Sequence, residues 1–209
     1  WKSLPDHVPR VTRNLKSIGL MAGTNELQLA IGLPLRDAAG LDVFLAELYD
    51  PASPNFRKFL TPQEFAERFG PTEQDYAAIQ EFARTNGFSI TTTYPNRMLL
   101  NVRASVTDIQ HAFHINLLKF KHPDEARNFF APDAEPMVDA ALPVADVSGL
   151  SDFSRPHPKV IKMNSTAALP KGGSGPGGTS YVGADFRNAY APGTALDGSG
   201  QMVGLLQFD

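Results

Sequence analysis

Three histidines offer the first possible chemistry in this sequence. His111 and His114 lie three residues apart, and His122 follows eight residues later. On a helix, side chains at positions i and i+3 share a face, so this spacing can present two imidazoles to one metal ion. No carboxylate recurs with them at helical spacing, and one ring is expected to face solvent. Structural or surface roles are therefore favoured over a metal site.

Two further stretches resemble parts of enzyme sites. The "GGTS" stretch ends at Ser180, a glycine-flanked serine, but it follows a glycine-proline segment instead of the strand that a nucleophile elbow needs. The nearby "GSGPGG" stretch lacks the lysine of a phosphate-binding loop. Asp209 follows an apolar run, residues 202–208, where α/β enzymes place catalytic carboxylates. No histidine or serine follows Asp209 to complete a triad with it.

The remaining acidic candidates have simpler interpretations. Glu64 and Glu67 follow Thr61-Pro62, a helix start in which Glu64 completes a capping box. Glu73 and Asp75 would lie in the first turn of the next helix, where the helix dipole favours negative charge. Nothing near these four residues predicts the raised pKa that paired-carboxylate catalysis needs. The residues alone therefore indicate no catalytic, cofactor or metal site.

Composition limits the class of protein. Hydrophobic residues make up 42% of the 209 residues, which is enough for a folded core. The net charge of −3 provides no basic surplus for binding nucleic acid. No apolar run reaches the roughly 20 residues that span a bilayer. The absence of cysteine excludes disulfides and thiolate metal sites.

Hydrophobic periodicity predicts the elements of one domain. Alternation predicts strands over 27–31, 88–94, 98–102 and 115–120, the second and third forming a hairpin. Helical spacing predicts helices over 41–48, 62–69, 72–85 and from Ser105 onward, with Leu41, Phe44, Leu45 and Leu48 inward in the first. The order strand, helices, strand, strand, helix, strand predicts an α+β fold of the split βαβ (ferredoxin-like) type, with an antiparallel sheet and helices on one face.

The pattern divides the chain into four regions. Residues 1–23 are interpreted as an extended lead-in, 24–150 as the domain, 151–180 as an exposed linker rich in proline and glycine, and 181–209 as the start of another domain. The linker is a candidate for proteolytic processing. Its candidate residues are Ser154, Arg155, His157, Lys159, Lys162, Met163 and Lys171.

One long stretch carries a family resemblance. The segment "YDPASPNFRKFLTPQEFAERFGPTEQDYAAIQEFARTNGF" resembles the activation domain of the sedolisins, the serine-carboxyl peptidases that include the kumamolisins. "VRASVTDIQHAFHINLLKF" and "VADVSGL" resemble later parts of that domain. The residues matching its pattern in order are Tyr49, Asp50, Pro51, Ser53, Pro54, Phe56, Leu60, Thr61, Pro62, Phe65, Phe69, Gly70 and Pro71.

The resemblance implies a prosegment that assists folding of its own peptidase domain, covers the active-site cleft, and is removed by self-cleavage at acidic pH. Residues 181–209 then resemble the opening of the peptidase domain, including the first strand of its subtilisin-like α/β sheet. The family's catalytic residues and its calcium site would lie beyond Asp209. Secretion is implied, with the signal sequence expected upstream. A stand-alone ferredoxin-like protein-binding module is the alternative, and residues 181–209 count against it.

Overall fold

The computed structural model describes residues 1–156 and 183–193, and the chain divides into two compact units, Trp1–Arg155 and Pro156–Asp209. In the second unit, one helix is described, α5 (Gly183–Tyr190). The strands of the first unit are β1 (Lys2–Ser3), β2 (Gly19–Leu20), β3 (Glu26–Gly32), β4 (Ser89–Thr93), β5 (Leu99–Ser105), β6 (Leu117–Lys121), β7 (Asn128–Pro132), β8 (Met137–Val138) and β9 (Asp146–Ser148). Its helices are a 3-10 helix (Arg10–Asn14), α1 (Ala38–Tyr49), α2 (Pro62–Arg68), α3 (Glu73–Thr85) and α4 (Val106–Phe113).

The first unit is an α+β domain built around an antiparallel four-stranded sheet. The strand order is β4-β5-β3-β9, and every pairing in it is antiparallel. In the register, Ala30 lies between Asn101 on one side and Ser148 on the other. The predicted hairpin of β4 and β5 is confirmed.

One face of this sheet carries the main core. Because side chains alternate along a strand, every second residue of β3 and β5 points to the same side. On that side α3 and α4 cover the sheet. The rings of Phe82 on α3, Phe113 on α4 and Phe88 just before β4 pack together, with centroids about 6 Å apart. The buried side chains contributed by the sheet are Leu29, Ile31, Leu100, Val102, Ala104 and Val147.

Helix α3 is fixed to the sheet by a buried tyrosine. The Tyr76 hydroxyl donates to the carbonyl of Leu99 (2.8 Å) and accepts from the N–H of Tyr94 (3.2 Å). Burial raises the pKa of the Tyr76 phenol above its ordinary value. The helix begins at a capping box of Thr72 and Asp75 and ends before Gly87, whose φ of +78° suits glycine. The predicted start and stop of this helix are both confirmed.

Helices α1 and α2 form a smaller core with the segment that follows them. Phe44 and Leu48 are buried there, as the helical spacing predicts, and Phe69 at the end of α2 is buried with them. The prediction that Leu45 is also buried was wrong, because its side chain is 41% exposed. Leu45 lies at the edge of the apolar face of α1, outside the part that this small core buries. The predicted capping box of Thr61 and Glu64 is confirmed at the start of α2.

A second sheet takes the strand that was predicted to complete the first one. The strand predicted over 115–120 is present as β6, but it pairs with β2 and β7 in a separate three-stranded sheet. The edge position beside β3 is filled by β9 instead. Strand β6 pairs with β7 because β7 follows it closely along the chain and the two form an antiparallel hairpin.

Residues 1–23, predicted as an extended lead-in, contribute to the domain. Strand β1 pairs with β8, and β2 pairs with β6. The imidazole of His7, only 7% exposed, accepts the backbone N–H of Val147 at Nε2 (3.1 Å), on the outer edge of β9. Asp146 and Glu135 place carboxylate oxygens 3.1 Å and 3.8 Å from the two nitrogens of the same ring. Strand pairings this short have no local periodicity that a sequence could display.

Candidate docking face and chain exit

The second face of the four-stranded sheet is not covered by the helices that pack on the first. It carries the alternate residues of β3, β5 and β9, and these side chains are exposed or half-buried. We call this surface the open face. Its central residues are Gln28, Ala30, Asn101, Arg103 and Ser148.

The middle of the open face is polar and recessed, and Arg103 adds a charged side chain to it. Ala30 is the smallest side chain there, and a shallow groove of about 260 Å³ passes over it between β9 and the β4–β5 hairpin. Asn101 donates to the Tyr94 hydroxyl (3.0 Å), which orients its amide. Glu26 and Asp146 add exposed carboxylates elsewhere on the face. A surface of this kind can take a partner with matching shape and hydrogen-bonding groups.

Gly149 lines this groove and packs tightly against β3. The backbone of Gly149 approaches β3 so closely that an added Cβ would lie 2.5 Å from the carbonyl oxygen of Gln28. Its φ of +102° is also a conformation that other residues rarely adopt. Glycine is therefore required where the chain turns away from β9. The glycine of "VADVSGL" was visible in the sequence, but its packing role was not predicted.

The exit of the chain from the domain contains two of the predicted processing residues. Ser154 and Arg155 are exposed at the end of the first unit, and Arg155 pairs with the carboxylate of Asp152. Residues 151–153 are only partly exposed. The other predicted linker residues, His157, Lys159, Lys162, Met163 and Lys171, lie outside the described residues. Whether any of the seven is processed remains a prediction.

The three candidate histidines have separate surroundings. His111 is exposed on α4, and His114 takes a left-handed conformation (φ +54°) at the end of that helix, edge-on to the Trp1 ring. His122 is buried in the turn between β6 and β7. Within residues 1–156 and 183–193, no group of three or more histidine and acidic side chains is placed to hold a metal ion.

The acidic candidates serve the helices, as the sequence predicts. The backbone N–H and the hydroxyl of Thr61 both donate to the Glu64 carboxylate (2.8 Å each). These bonds favour the charged form, so they lower the pKa of Glu64. Asp75 has the equivalent place in α3, while Glu73 lies 3.9 Å from Arg97. Ser180 and Asp209 lie outside the described residues.

None of the helices in the described ranges is long and apolar enough to cross a membrane.

Comparison with known proteins identifies relatives over most of the chain. Residues 13–153 match the family described as "Pro-kumamolisin, activation domain". The chain is 33% identical to xanthomonalisin of Xanthomonas sp. (strain T-22) over 143 residues, which cover 68% of this chain and 17% of that protein. It is 26% identical to sedolisin of Pseudomonas sp. (strain 101) over 187 residues, covering 89% of this chain and 31% of that protein. It is 23% identical to kumamolisin of Bacillus sp. (strain MN-32) over 213 residues, covering 98% of this chain and 37% of that protein. The chain thus spans only 17% to 37% of the length of these relatives.

Proposed function

Since the chain belongs to the pro-kumamolisin activation-domain family, we propose that it is the prosegment of a secreted, acid-acting serine-carboxyl endopeptidase. In this role it assists folding of its own peptidase domain and blocks the active-site cleft until autocatalytic cleavage at low pH. The parent protein is the peptidase. The catalytic residues and the calcium site of that peptidase would lie beyond Asp209.

The open face is the observation that carries this proposal. A sheet with one side packed against helices and a recessed, polar second side presents that second side to a partner. We assign the peptidase domain to that surface. The strand order, with β9 in the fourth position, supports a ferredoxin-like description of the sheet. Residues 181–209 would begin the subtilisin-like peptidase domain.

The charges on the open face support the proposed acid release. Glu26 and Asp146 are exposed carboxylates on the open face. Carboxylates in a docked interface can hold a partner by ion pairs, and such pairs weaken as the pH falls. The prosegment is then held near neutral pH and weakened as the pH falls. Cleavage in the linker would make the release irreversible.

Inhibition by the separate chain tests the proposal. The chain would be added to the mature peptidase of the same precursor, and peptide hydrolysis followed at about pH 6 and about pH 4. We expect inhibition at the higher pH and weaker inhibition at the lower one. Ala30→Arg should weaken inhibition about tenfold or more, because a long charged side chain fills the groove.

A matched substitution provides the control. Ala77 is exposed on α3, in the helical layer, so Ala77→Arg makes the same chemical change on the opposite side of the sheet and should inhibit like the wild type. Equal inhibition by both variants would show that the peptidase does not dock on the open face. No inhibition by the wild type would favour the binding-module alternative.

A further inference from the structure

The last residues of the domain are held by a cluster that the activation-domain role does not itself require. We call it the exit clamp, and its residues are His122, Glu125, Arg127, Asp152 and Phe153. The first three lie at the turn between β6 and β7, and the last two lie where the chain leaves the domain.

Arg127 is the centre of the exit clamp. Its guanidinium donates to the backbone carbonyl oxygens of Asp152 (2.9 Å) and Phe153 (2.6 Å), and it pairs with the carboxylate of Glu125. Only 18% of the Arg127 side chain is exposed. Two consecutive carbonyls bound by one planar cation fix the backbone direction of the exit segment, because the donor fork is rigid.

Asp152 and Phe153 are held by side-chain contacts as well. The Asp152 carboxylate accepts the N–H of Phe130 in β7 (2.7 Å), and the Asp152 N–H donates to the Phe130 carbonyl (3.3 Å). The Phe153 ring stacks on His122, with ring centroids 4.8 Å apart and planes 18° apart, and it also contacts Phe129 at 5.0 Å. His122 is held in turn, since its Nδ1 accepts the N–H groups of Asp124 and Glu125.

We propose that the exit clamp protects the peptide bonds of residues 151–155 from proteolysis and so fixes Arg155 as the N-terminal limit of processing. A protease binds its substrate extended, with main-chain hydrogen bonds on both sides of the cleaved bond. The carbonyls of Asp152 and Phe153 cannot make these bonds while Arg127 holds them. Cleavage there requires local opening of the exit clamp, and its rate follows the population of the open form.

This inference narrows the predicted processing region, since it excludes cleavage at the bond after Ser154 and leaves the bond after Arg155 as the first that can be cleaved. Its connection with zymogen processing rests on the proposed function. The protection itself does not, because any broad-specificity protease can report it.

Limited proteolysis of the 209-residue chain tests the exit clamp. The chain would be digested at neutral pH with an added broad-specificity protease, and the masses of the stable N-terminal fragments measured over time. In the wild type we expect fragments that end at Arg155 or later. Arg127→Met keeps the apolar stem but removes the hydrogen bonds, and it should add fragment ends within residues 150–154, formed about tenfold faster than in the wild type.

Two further variants keep the result decisive. Arg103→Met makes the same change on the open face and should leave the fragment ends unchanged. If circular dichroism shows that Arg127→Met is unfolded, Phe153→Ala takes its place, because it removes the stacked ring and leaves the hairpin intact. Wild-type fragments ending within 151–154, or identical fragments from wild type and clamp variants, would overturn the inference.

The natural cleavage site of the full precursor tests the exit clamp separately from inhibition. Natural cleavage before Arg155 in the wild-type precursor would refute the limit even if the separate chain inhibits its peptidase. If the separate chain does not inhibit the peptidase but residues 151–155 resist proteolysis, the proposed function is rejected and the proposal about the exit clamp is retained.

Discussion

The two faces of the four-stranded sheet use the same strands for different purposes. Leu29, Leu100 and Val102 are almost fully buried against the helices, while Gln28, Ala30 and Arg103, their neighbours in sequence, lie on the open face. Adjacent residues on one strand therefore serve separate functions. Substitutions on one face should change folding stability, and substitutions on the other should change binding.

Neighbouring leucines give the largest contrast between the faces. Leu100→Ala removes a fully buried side chain and should lower the free energy of unfolding by about 2–5 kcal/mol. Leu99→Ala, on the open face, removes a side chain that is 42% exposed and should cost about 0.5 kcal/mol. Urea unfolding of both variants measures the difference. Equal losses would mean that the open face is itself part of a core.

The two glycines beside the β3–β9 pairing test how closely the backbone must approach. Gly149→Ala should cost about 2–3 kcal/mol, since the new Cβ would contact the Gln28 carbonyl and the residue would keep a positive φ. Gly32 is the control, because a Cβ there would lie 3.7 Å from its nearest neighbours in Asp146. Thermal unfolding should show a loss for Gly149→Ala alone. A tolerant Gly149 would mean that the edge strand can move away from β3.

Tyr76 tests the polar link across the buried face. Tyr76→Phe should cost about 1–2 kcal/mol at neutral pH, because the Leu99 carbonyl and the Tyr94 N–H each lose a partner. Burial raises the pKa of the Tyr76 phenol in the folded chain, so its protonated form contributes stability below the ordinary value of about 10.

That contribution is lost as the pH rises through the folded-state pKa. The stability difference between wild type and Tyr76→Phe should therefore shrink in strongly alkaline solution, as measured by urea unfolding in a pH series. A difference that stays constant at alkaline pH would show that the phenol is solvated like a surface tyrosine.

The smallest expected effect on stability is at Gln28. Gln28→Lys changes an exposed side chain on the open face and should alter the free energy of unfolding by no more than about 0.5 kcal/mol. It should nevertheless weaken inhibition of the peptidase, since it places a charge beside the groove. Paired measurements of melting temperature and inhibition would check this. A large fall in stability without loss of inhibition would reverse the roles of the two faces.

The predictions from sequence succeeded where the determining contacts are local. The capping boxes at Thr61 and Thr72 need only residues within one helical turn. The alternation of Leu29 and Ile31 with Gln28 and Ala30 identifies a strand with one buried side. The helix over 106–113 follows from Ser105 and the apolar spacing after it. The open face itself was predicted in this way, as the side of the sheet without helices.

The predictions failed where distant segments meet. Strand β9 contains three residues, too few for a periodic signal, and its place beside β3 depends on a pairing more than a hundred residues apart. The exit clamp also escaped prediction, because Arg127 and Phe153 have no shared pattern in the chain. A lone phenylalanine in the polar stretch after Leu150 was the one available signal that this stretch packs against the domain.

The position of His7 has a consequence for self-association. A sheet edge with unpaired N–H and C=O groups is a template for strands of other molecules, and it favours aggregation. Here the ring of His7 accepts a hydrogen bond from an outward N–H of β9. At the opposite edge, β4 has an irregular register between Ile90 and Thr92. Both edges are thus poor templates for further strands. The sheet can leave one broad face uncovered for its partner and still resist stacking edge to edge with copies of itself.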